Sequence, residues 1–372
     1  MSPTSRVSAV ICVLSILIAE ISSARAGSDL LEQRVKGLLV SAKSASSTEQ
    51  QKVVAKDCLS TIEMAVSEDD FAIATKLAAV GLESATRSGN LHLQVVCKRR
   101  KDEITQYSKE FRKLSKSAEK LAAGKLDKQS ALELGKFYCL VVGDWQRGRP
   151  LLQKSASGDW PKLAEAETAD PREISQQMAL GAAWSQLAGS EKPPYKRAAQ
   201  ARAYFWYRQA LESSIGDTKL QISQAMDDLP FRYLTDLDEL DIQPGPWPLG
   251  KYGTNGVNAS IRVNGIPAPY GLGLHPPSSG GASVKYRLDG KFKTFSTGVA
   301  LNDADLGFES SVVFSVIGDG RLLWKSNAIK ARESVEFCDV SVKGVKQLEL
   351  RTECPGNSNA GHACWLDPVL AK

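Results

Sequence analysis

The sequence lacks the short motifs by which many enzymes are recognised. Its 372 residues contain no G-x-S-x-G elbow, no phosphate-binding P-loop, no H-E-x-x-H zinc motif and no dinucleotide-binding fingerprint. There is also no C-x-x-C pair, which argues against a zinc ribbon or a thioredoxin-type site. A glycosidase needs two carboxylates that face each other across a cleft, and no motif marks such a pair. We therefore expect a protein that is not an enzyme.

Strong charge and long apolar runs are scarce as well. The net charge of +5 is well short of that of a typical nucleic-acid-binding protein, so we expect no nucleic-acid partner. The apolar run at 7–18 follows Arg6 and precedes an A-R-A site at 24–26. This pattern predicts a signal peptide over residues 1–26 and a secreted, periplasmic or cell-envelope protein. An uncleaved anchor is the alternative, but the run is shorter than the roughly 20 residues that span a bilayer. We expect no membrane span after cleavage.

Loss of Cys12 with the signal peptide would leave an even number of cysteines, which permits disulfides in an oxidising compartment. The six are Cys58, Cys97, Cys139, Cys338, Cys354 and Cys364. We predict a disulfide between Cys354 and Cys364, which flank the loop "PGNSNAGHA". Cys58 and Cys97 could join neighbouring helices. The alternative for the cysteines of the helical region is a buried free thiol, which we favour for Cys139.

The composition changes near Pro230, which divides the chain into two kinds of sequence. Residues 27–229 are rich in alanine, leucine, lysine, glutamate and glutamine, which predicts an all-α domain. After Pro230, valine, phenylalanine and threonine alternate with polar residues, which predicts strands and hairpins. Residues 230–249 contain the proline-rich "DIQPGPWPL" and are predicted to form a stiff linker.

The helical region contains a near-repeat, Leu134-Gly135-x-x-Tyr138 and Leu180-Gly181-x-x-Trp184. In each copy the glycine would let a partner helix approach closely, and the aromatic ring would fill the space beyond it. The pattern resembles tetratricopeptide and Sel1-like helix pairs, and helical regions of exported planctomycete proteins. The resemblance implies a helical-repeat domain.

The aromatic residues of this region allow two interpretations. They could form a peptide-binding groove for a protein partner. The interpretation that we favour is packing in the core between helices. The residues in question are Trp145, Trp184, Trp206 and Tyr207.

Residues 250–372 contain about eight short segments with strand-like alternation, separated by frequent turns. Val312, Phe314 and Val316 would face one side of a strand, and the turn at 318–320 would close a hairpin. This spacing predicts an antiparallel β-sandwich.

Five motifs of this region occur in the order found in one domain family. They are "IRVNGIPAPYGLGLHPPS", "YRLDGKFKTFSTGVALND", "SVVFSVIGDGRLLWKS", "VSVKGVKQLELRTE" and "GHACWLDPVL". The region resembles the NPCBM/NEW2 domain of family 98 glycoside hydrolases, which is allied to carbohydrate-binding module family 51. The resemblance implies a jelly-roll sandwich like the galactose-binding folds, non-catalytic sugar binding and, in some relatives, bound calcium. Cys364 replaces the usual aspartate, and Asn302-Asp303 stands where the family often has two acids.

Sugars are bound by aromatic faces that stack on C–H surfaces and by planar polar groups that hydrogen-bond hydroxyls. The loop "PYGLGLHPPSS" holds one histidine and the terminal loop another. The candidate carbohydrate-binding residues are His275, Asn302, Asp303, Asn357, Asn359, His362 and Trp365. The candidate calcium ligands are Asp303, Asp305 and Glu309. The alternative is that the histidines and the tryptophan are structural.

Taken together, the sequence predicts an exported, non-catalytic carbohydrate-binding protein that has its helical half as a scaffold. The alternative is an envelope structural or protein-interaction scaffold without sugar affinity, in which the helices bind a protein partner. Cys364 in place of the family aspartate favours this alternative.

Overall fold

The computed structural model describes residues 29–155, 158–263, 265–303, 310–332 and 334–372. The predicted signal peptide and two of the candidate calcium ligands, Asp305 and Glu309, lie outside these ranges. The chain divides into two compact units between Ser115 and Lys116. This division falls inside the predicted helical domain of residues 27–229.

The first unit is formed by helices whose starts are fixed by short polar side chains. The helices are α1 (29–44), α2 (Thr48–Ser67), α3 (Phe71–Arg87) and α4 (Leu91–Lys113). The N-cap side chains of Ser47, Asp70 and Asn90 each accept a backbone N–H from the first turn of the helix that follows. Ala55, Ala85, Leu93 and Cys97 form an apolar cluster of this unit.

Further helices precede the β-strands of the second unit. They are α5 (Ser115–Ala122), α6 (Lys128–Lys136), α7 (Trp145–Lys154), α8 (Trp160–Thr168), α9 (Ile174–Ser190), α10 (Tyr195–Glu212) and α11 (Gly216–Asp227). A π-helical segment, Phe137–Val142, continues α6. No helix in the described part of the chain is both long and apolar enough to cross a membrane.

The predicted glycine contacts of the near-repeat are present. A Cβ atom at Gly135 would lie 2.8 Å from Leu152 Cγ, and one at Gly181 would lie 2.6 Å from the ring of Tyr207. These positions therefore need glycine, because α6 meets α7 and α9 meets α10 at these points. Trp184, Trp206 and Tyr207 are buried, which confirms their predicted place in the core.

A buried carboxylate, which the sequence did not indicate, joins three of these helices. Glu167 of α8 is 2 % exposed. Its Oε1 accepts N–H groups from Trp184 and Trp206, each at 2.5 Å, and from Arg202 Nε at 2.9 Å. A second guanidinium nitrogen of Arg202 donates to Oε2. The charge of Glu167 is thus both paired and hydrogen-bonded, as burial of a carboxylate requires.

Ten of the described strands form two five-stranded antiparallel sheets, which confirms the predicted β-sandwich, and the other two form a separate hairpin. The strands are β1 (Phe231–Tyr233), β2 (Glu239–Gln243), β3 (Arg262–Val263), β4 (Ile266–Pro267), β5 (Leu272–Gly273), β6 (Gly281–Arg287), β7 (Thr294–Leu301), β8 (Val313–Gly318), β9 (Arg321–Lys325), β10 (Val335–Ser341), β11 (Gln347–Glu353) and β12 (Ala363–Ala371). One sheet has the order β1-β12-β7-β10, with β5 also paired to β12. The other has the order β2-β6-β11-β8-β9.

The inner faces of the sheets carry the predicted apolar side chains. Val312, Phe314 and Val316 are fully buried together with Leu348 and Leu350. The predicted hairpin at 318–320 joins β8 to β9, with positive φ at its second and third residues. Alternation of period two therefore located the core of the sandwich correctly.

The prediction that residues 230–249 form a linker is wrong. Strand β1 pairs with β12, and β2 pairs with β6, so this segment supplies an outer strand to each sheet. Pro244, Pro246 and Pro248 lie after β2, where the chain leaves the sheet, whereas Pro230 directly precedes β1. Their effect is therefore local, and they do not separate two domains.

Side chains of α10 pack directly on the sandwich. The ring of Tyr204 contacts those of Tyr233 and Tyr270, at centroid distances of 5.2 and 5.5 Å. Its hydroxyl donates to Asp236 Oδ2 at 2.5 Å. The Arg208 guanidinium lies 3.4 Å from Asp236 Oδ1. Burial raises the pKa of both Asp236 and Tyr204. We call the contact formed by these five side chains the helix–sandwich joint.

Candidate functional site

Three rings meet at one place on the sandwich. The ring of Trp247 stacks on that of His275, with centroids 4.3 Å apart and planes 20° from parallel. The ring of His362 lies 4.5 Å from Trp247 and 5.4 Å from His275. Trp247 and His362 are partly exposed, whereas His275 is buried. We call these three residues the rim cluster.

The backbone around His275 is fixed by the strands that precede it. In β5, Gly273 pairs with Cys364 of β12, and Leu274 N–H donates to the carbonyl of Ala363 at 3.1 Å. A Cβ atom at Gly245 would lie 1.9 Å from the carbonyl oxygen of His275. Only glycine allows the proline-rich segment to run this close, and the approach brings Trp247 over the imidazole.

The surroundings hold both imidazoles in the neutral form. Burial lowers the pKa of His275. The pKa of His362 is lowered to about 4, mainly by burial and in smaller part by the neighbouring His275 and Arg332. At neutral pH each ring is therefore both a donor and an acceptor of hydrogen bonds. Nδ1 of His275 has no hydrogen-bond partner among the described residues.

Arg332 is anchored beside His362. Its guanidinium donates to the carbonyl of Asn302 at 2.7 Å and to the carbonyl of Ala360 at 3.3 Å. These two bonds tie the segment after β9 to the residue that follows β7 and to the loop that carries His362. The guanidinium therefore places a fixed positive charge at the edge of the rim cluster.

The structure corrects the prediction for Trp365. Its indole is fully buried between the sheets and makes an edge-to-face contact with Phe314 at 5.3 Å. Along β12 the side chains alternate, so Cys364 faces the outer apolar cluster and Trp365 faces the core. The indole cannot reach a ligand at the surface.

Asn302 is also structural. It is 3 % exposed, and both ends of its side chain are used. Oδ1 accepts Arg262 N–H at 2.7 Å, and Nδ2 donates to the carbonyl of Ser260 at 3.2 Å. Asn302 thus holds the chain at the start of β3 in place, and its burial leaves almost none of its surface open to a sugar.

The described residues do not assemble a calcium site around Asp303. Its Oδ2 accepts Gly265 N–H at 2.8 Å, which closes the β3–β4 hairpin. No three histidine, cysteine, aspartate or glutamate side chains in the described ranges come together as a metal-binding group. Since Asp305 and Glu309 lie outside those ranges, their part in a calcium site stays a prediction.

The predicted disulfide between Cys354 and Cys364 is not formed, and both thiols are free and buried. Cys354 belongs to the core between the sheets, whereas Cys364 belongs to the apolar cluster on the outer face of one sheet. Cys364 Sγ lies 3.2 Å from the carbonyl oxygen of Ala300. The two thiols are therefore kept apart by the sheet itself.

Asn357 and Asn359 lie exposed in the loop between β11 and β12. Asn357 Oδ1 accepts Asn359 N–H at 3.1 Å, so the two residues shape the loop that leads to His362. Their role in sugar binding stays a prediction.

Trp247 was missed because its segment was interpreted as a linker. The signal that could have found it is a tryptophan between two prolines, a place where an indole has no helix or strand to pack in.

Comparison with known proteins agrees with the resemblance seen in the sequence. Residues 232–371 match the family model of the NPCBM/NEW2 domain. The match begins at the second residue of β1 and includes the segment that we had predicted to be a linker. It covers the sandwich and does not extend to the helices that precede it.

The relatives found carry similar modules within other proteins. A Renibacterium salmoninarum protein named "Putative endo-alpha-N-acetylgalactosaminidase" is 28% identical over 146 residues, which are 38% of this chain and 9% of that protein. This chain thus spans less than a tenth of that relative's length.

Among solved structures, the chain is similar to the M60 catalytic domain with the CBM51-1 and CBM51-2 domains of Clostridium perfringens ZmpB. The identity is 27%, the TM-score is 0.35, and the match covers 38% of this chain and 15% of that one. It is also similar to CBM51 from Clostridium perfringens GH95 in complex with methyl-galactose. There the identity is 21%, the TM-score is 0.34, and the match covers 38% of this chain and 99% of that one.

Proposed function

We propose that the C-terminal sandwich binds a glycan at the rim cluster, and that the chain is an exported, non-catalytic carbohydrate-binding protein. The single observation that carries the proposal is the position of Trp247. Its partly exposed indole is held rigid against His275, beside a second imidazole. A fixed aromatic face next to neutral hydrogen-bonding groups has the chemistry that sugars require.

The binding mode follows from the residues of the rim cluster. The indole of Trp247 would stack on the C–H face of a sugar ring. His362 is partly exposed and neutral, so it would exchange hydrogen bonds with hydroxyl groups. His275 is largely covered by Trp247, so its main role would be to support the indole. Asn357 and Asn359 would reach the ligand from the loop between β11 and β12.

The family match supports sugar binding, because the NPCBM/NEW2 domain is known as a carbohydrate-binding module. One solved relative was obtained in complex with methyl-galactose, which makes galactosides a sensible first class of ligand to test. Export is supported by the predicted signal peptide, and the non-catalytic role by the missing enzyme motifs. The helical half would act as a scaffold and would be free to bind a protein partner.

The test is a glycan array with the purified full chain, followed by calorimetry with the best ligand. We expect binding in the micromolar to millimolar range and a loss of about fivefold or more for Trp247→Ala, because one stacked ring contributes on the order of 1 kcal/mol. Trp247→Phe is the matched control and is expected to keep most of the affinity. Equal affinity of Trp247→Ala and wild type would place the site elsewhere, and failure to bind any glycan would refute the function.

The second candidate is an envelope or protein-interaction scaffold without sugar affinity. Two observations favour it, namely that Trp365 is buried in the core and that Asn302 is occupied by backbone contacts. It predicts an empty glycan array together with capture of a defined partner by residues 29–229. The array result separates the two candidates.

A further inference from the structure

Two thiols of the first unit approach the same point. Cys58 of α2 and Cys97 of α4 are free thiols in the structure, and both are buried, at 0% and 1% exposure. A Cβ atom placed on Gly81 of α3 would lie 3.1 Å from Cys58 Cβ and 3.9 Å from Cys97 Sγ. Helices α2 and α4 therefore each direct a cysteine to the space that the missing side chain of Gly81 leaves open.

The other described cysteines lie in different surroundings. Cys139 packs against Gly148 on the neighbouring helix α7, where an added Cβ atom would lie 2.3 Å from its sulfur. Cys354 and Cys364 are separated by a sheet, as described above. Within the described residues 29–115, the position over Gly81 is thus the one place where two helices each contribute a thiol to a shared space.

We propose that Cys58 and Cys97 form a disulfide when the chain folds in an oxidising compartment. The oxidant is a small disulfide such as oxidised glutathione. The thiolate of one cysteine attacks it, which forms a mixed disulfide and releases one glutathione thiolate. The second cysteine, after loss of its proton, attacks the mixed disulfide, forms the Sγ–Sγ bond and releases the second glutathione. Two electrons pass from the cysteines to the oxidant.

This proposal rests on the proposed export only for its oxidising compartment, and it is independent of sugar binding. The bond forms during folding and not afterwards. Burial raises the pKa of Cys58 to about 12 and that of Cys97 to about 11, so the thiolate that reacts is scarce in the folded helices. The same burial protects the finished disulfide from reduction.

A disulfide between Cys58 and Cys97 would close a covalent loop of the chain that contains α3, because α3 lies between the two cysteines in sequence. The cross-link lowers the conformational entropy of the unfolded chain, and it therefore stabilises the folded first unit. Gly81 makes this possible, since any larger residue would stand between the two side chains.

The experiment uses the full chain, reduced and unfolded in urea and then refolded in a mixture of reduced and oxidised glutathione. Free thiols are alkylated, and the protein is digested with trypsin without reduction. Residues 57–76 and 88–98 are separate tryptic peptides that carry Cys58 and Cys97, one cysteine each. We expect these two peptides to be recovered linked in most molecules, and the oxidised chain to melt several degrees higher than the reduced one.

Single substitutions test whether the linked peptide depends on Cys58, Cys97 and Gly81. Cys58→Ala and Cys97→Ala abolish the linked peptide, whereas Cys338→Ala leaves it unchanged. Gly81→Ala slows its formation, and Gly37→Ala, at a helical glycine with no atom within 4 Å of the added Cβ, does not. Recovery of both peptides as free thiols from the refolded wild-type chain overturns the proposal, and so does linkage of either peptide to another cysteine. Equal melting of oxidised and reduced chains contradicts the stabilising role. None of these outcomes depends on a glycan array.

Discussion

His362 is kept neutral mainly by burial, and its titration offers a direct probe of the rim cluster. The folded-state pKa of about 4 lies below the ordinary value of 6.5. The unfolded chain therefore takes up a proton on this side chain at a higher pH than the folded chain does. As the pH falls from about 6.5 to about 4, the free energy of unfolding decreases, and below that range this contribution is constant.

We expect urea unfolding to show this loss in the wild-type chain and to show less of it in His362→Gln, which cannot take up the proton. The comparison is made at pH 7 and pH 4.5 in the same buffer system. His275 also has a lowered pKa and contributes in the same direction, so the variant reduces the loss without removing it. An identical loss in both proteins would show that His362 is not desolvated as described.

For single residues, the rarity of a residue type was a better guide to the rim cluster than the side of the sheet predicted for a side chain. His275 and His362 were predicted because the chain has only three histidines, and they do lie together. Trp365 was misplaced by one step of strand alternation, which exchanges the inner and outer faces of a sheet. Trp247 was missed because its neighbour in space, His275, is distant in sequence, and no local pattern reports such a contact.

Among the elements, the α9–α10 pair provides the clearest test of helix packing. Gly181→Ala would place a Cβ atom 2.6 Å from the ring of Tyr207, so α9 and α10 must separate or the ring must shift. We expect a loss of roughly 1–3 kcal/mol in the free energy of unfolding. Urea denaturation followed by circular dichroism measures it.

Gly189→Ala is the matched control on the same helix, because no atom lies within 4 Å of its added Cβ. There the higher helix propensity of alanine is expected to stabilise the protein by up to about 1 kcal/mol. Opposite signs for the two substitutions support the close helix contact. A stabilising effect of Gly181→Ala would contradict it.

The sequence predicted elements well where periodicity is local and poorly where pairing is distant. The glycine–aromatic spacing in α9 and the alternation in β8 and β11 each lie within one element, and both were confirmed. Strands β1 and β2 have three and five residues, too few for a clear pattern. Their partners, β12 and β6, lie far along the chain, so the prolines that follow suggested a linker instead.

For the whole molecule, the helix–sandwich joint predicts that the residues matching the family model are less stable alone than together with α10. Residues 232–372 without α10 would expose the rings of Tyr233 and Tyr270 and would leave Asp236 without Tyr204 and Arg208. We expect this fragment to melt at least about 5 °C below residues 116–372, since a loss of 1–2 kcal/mol shifts a melting temperature by several degrees. Thermal unfolding by near-ultraviolet circular dichroism compares the two.

Point variants in residues 116–372 provide the control for chain length. Tyr204→Ala is expected to lower the melting temperature, whereas Arg197→Ala, an exposed position on the same helix, is expected to leave it unchanged. If residues 232–372 and 116–372 melt at the same temperature, the helix–sandwich joint does not stabilise the sandwich.

The division at Ser115 could not be predicted, because the helical composition is uniform across it.

The stacked rings of Tyr233 and Tyr270 have centroids 4.1 Å apart, and Tyr270 is in turn held by the Asp367 carboxylate, which accepts its backbone N–H at 2.7 Å. Through Tyr204, α10 is thereby coupled to the same sheet that carries His362. Any surface to which the rim cluster binds would therefore also determine the direction in which α10 points. Copies of the protein attached side by side would therefore present α10 at one common angle to that surface.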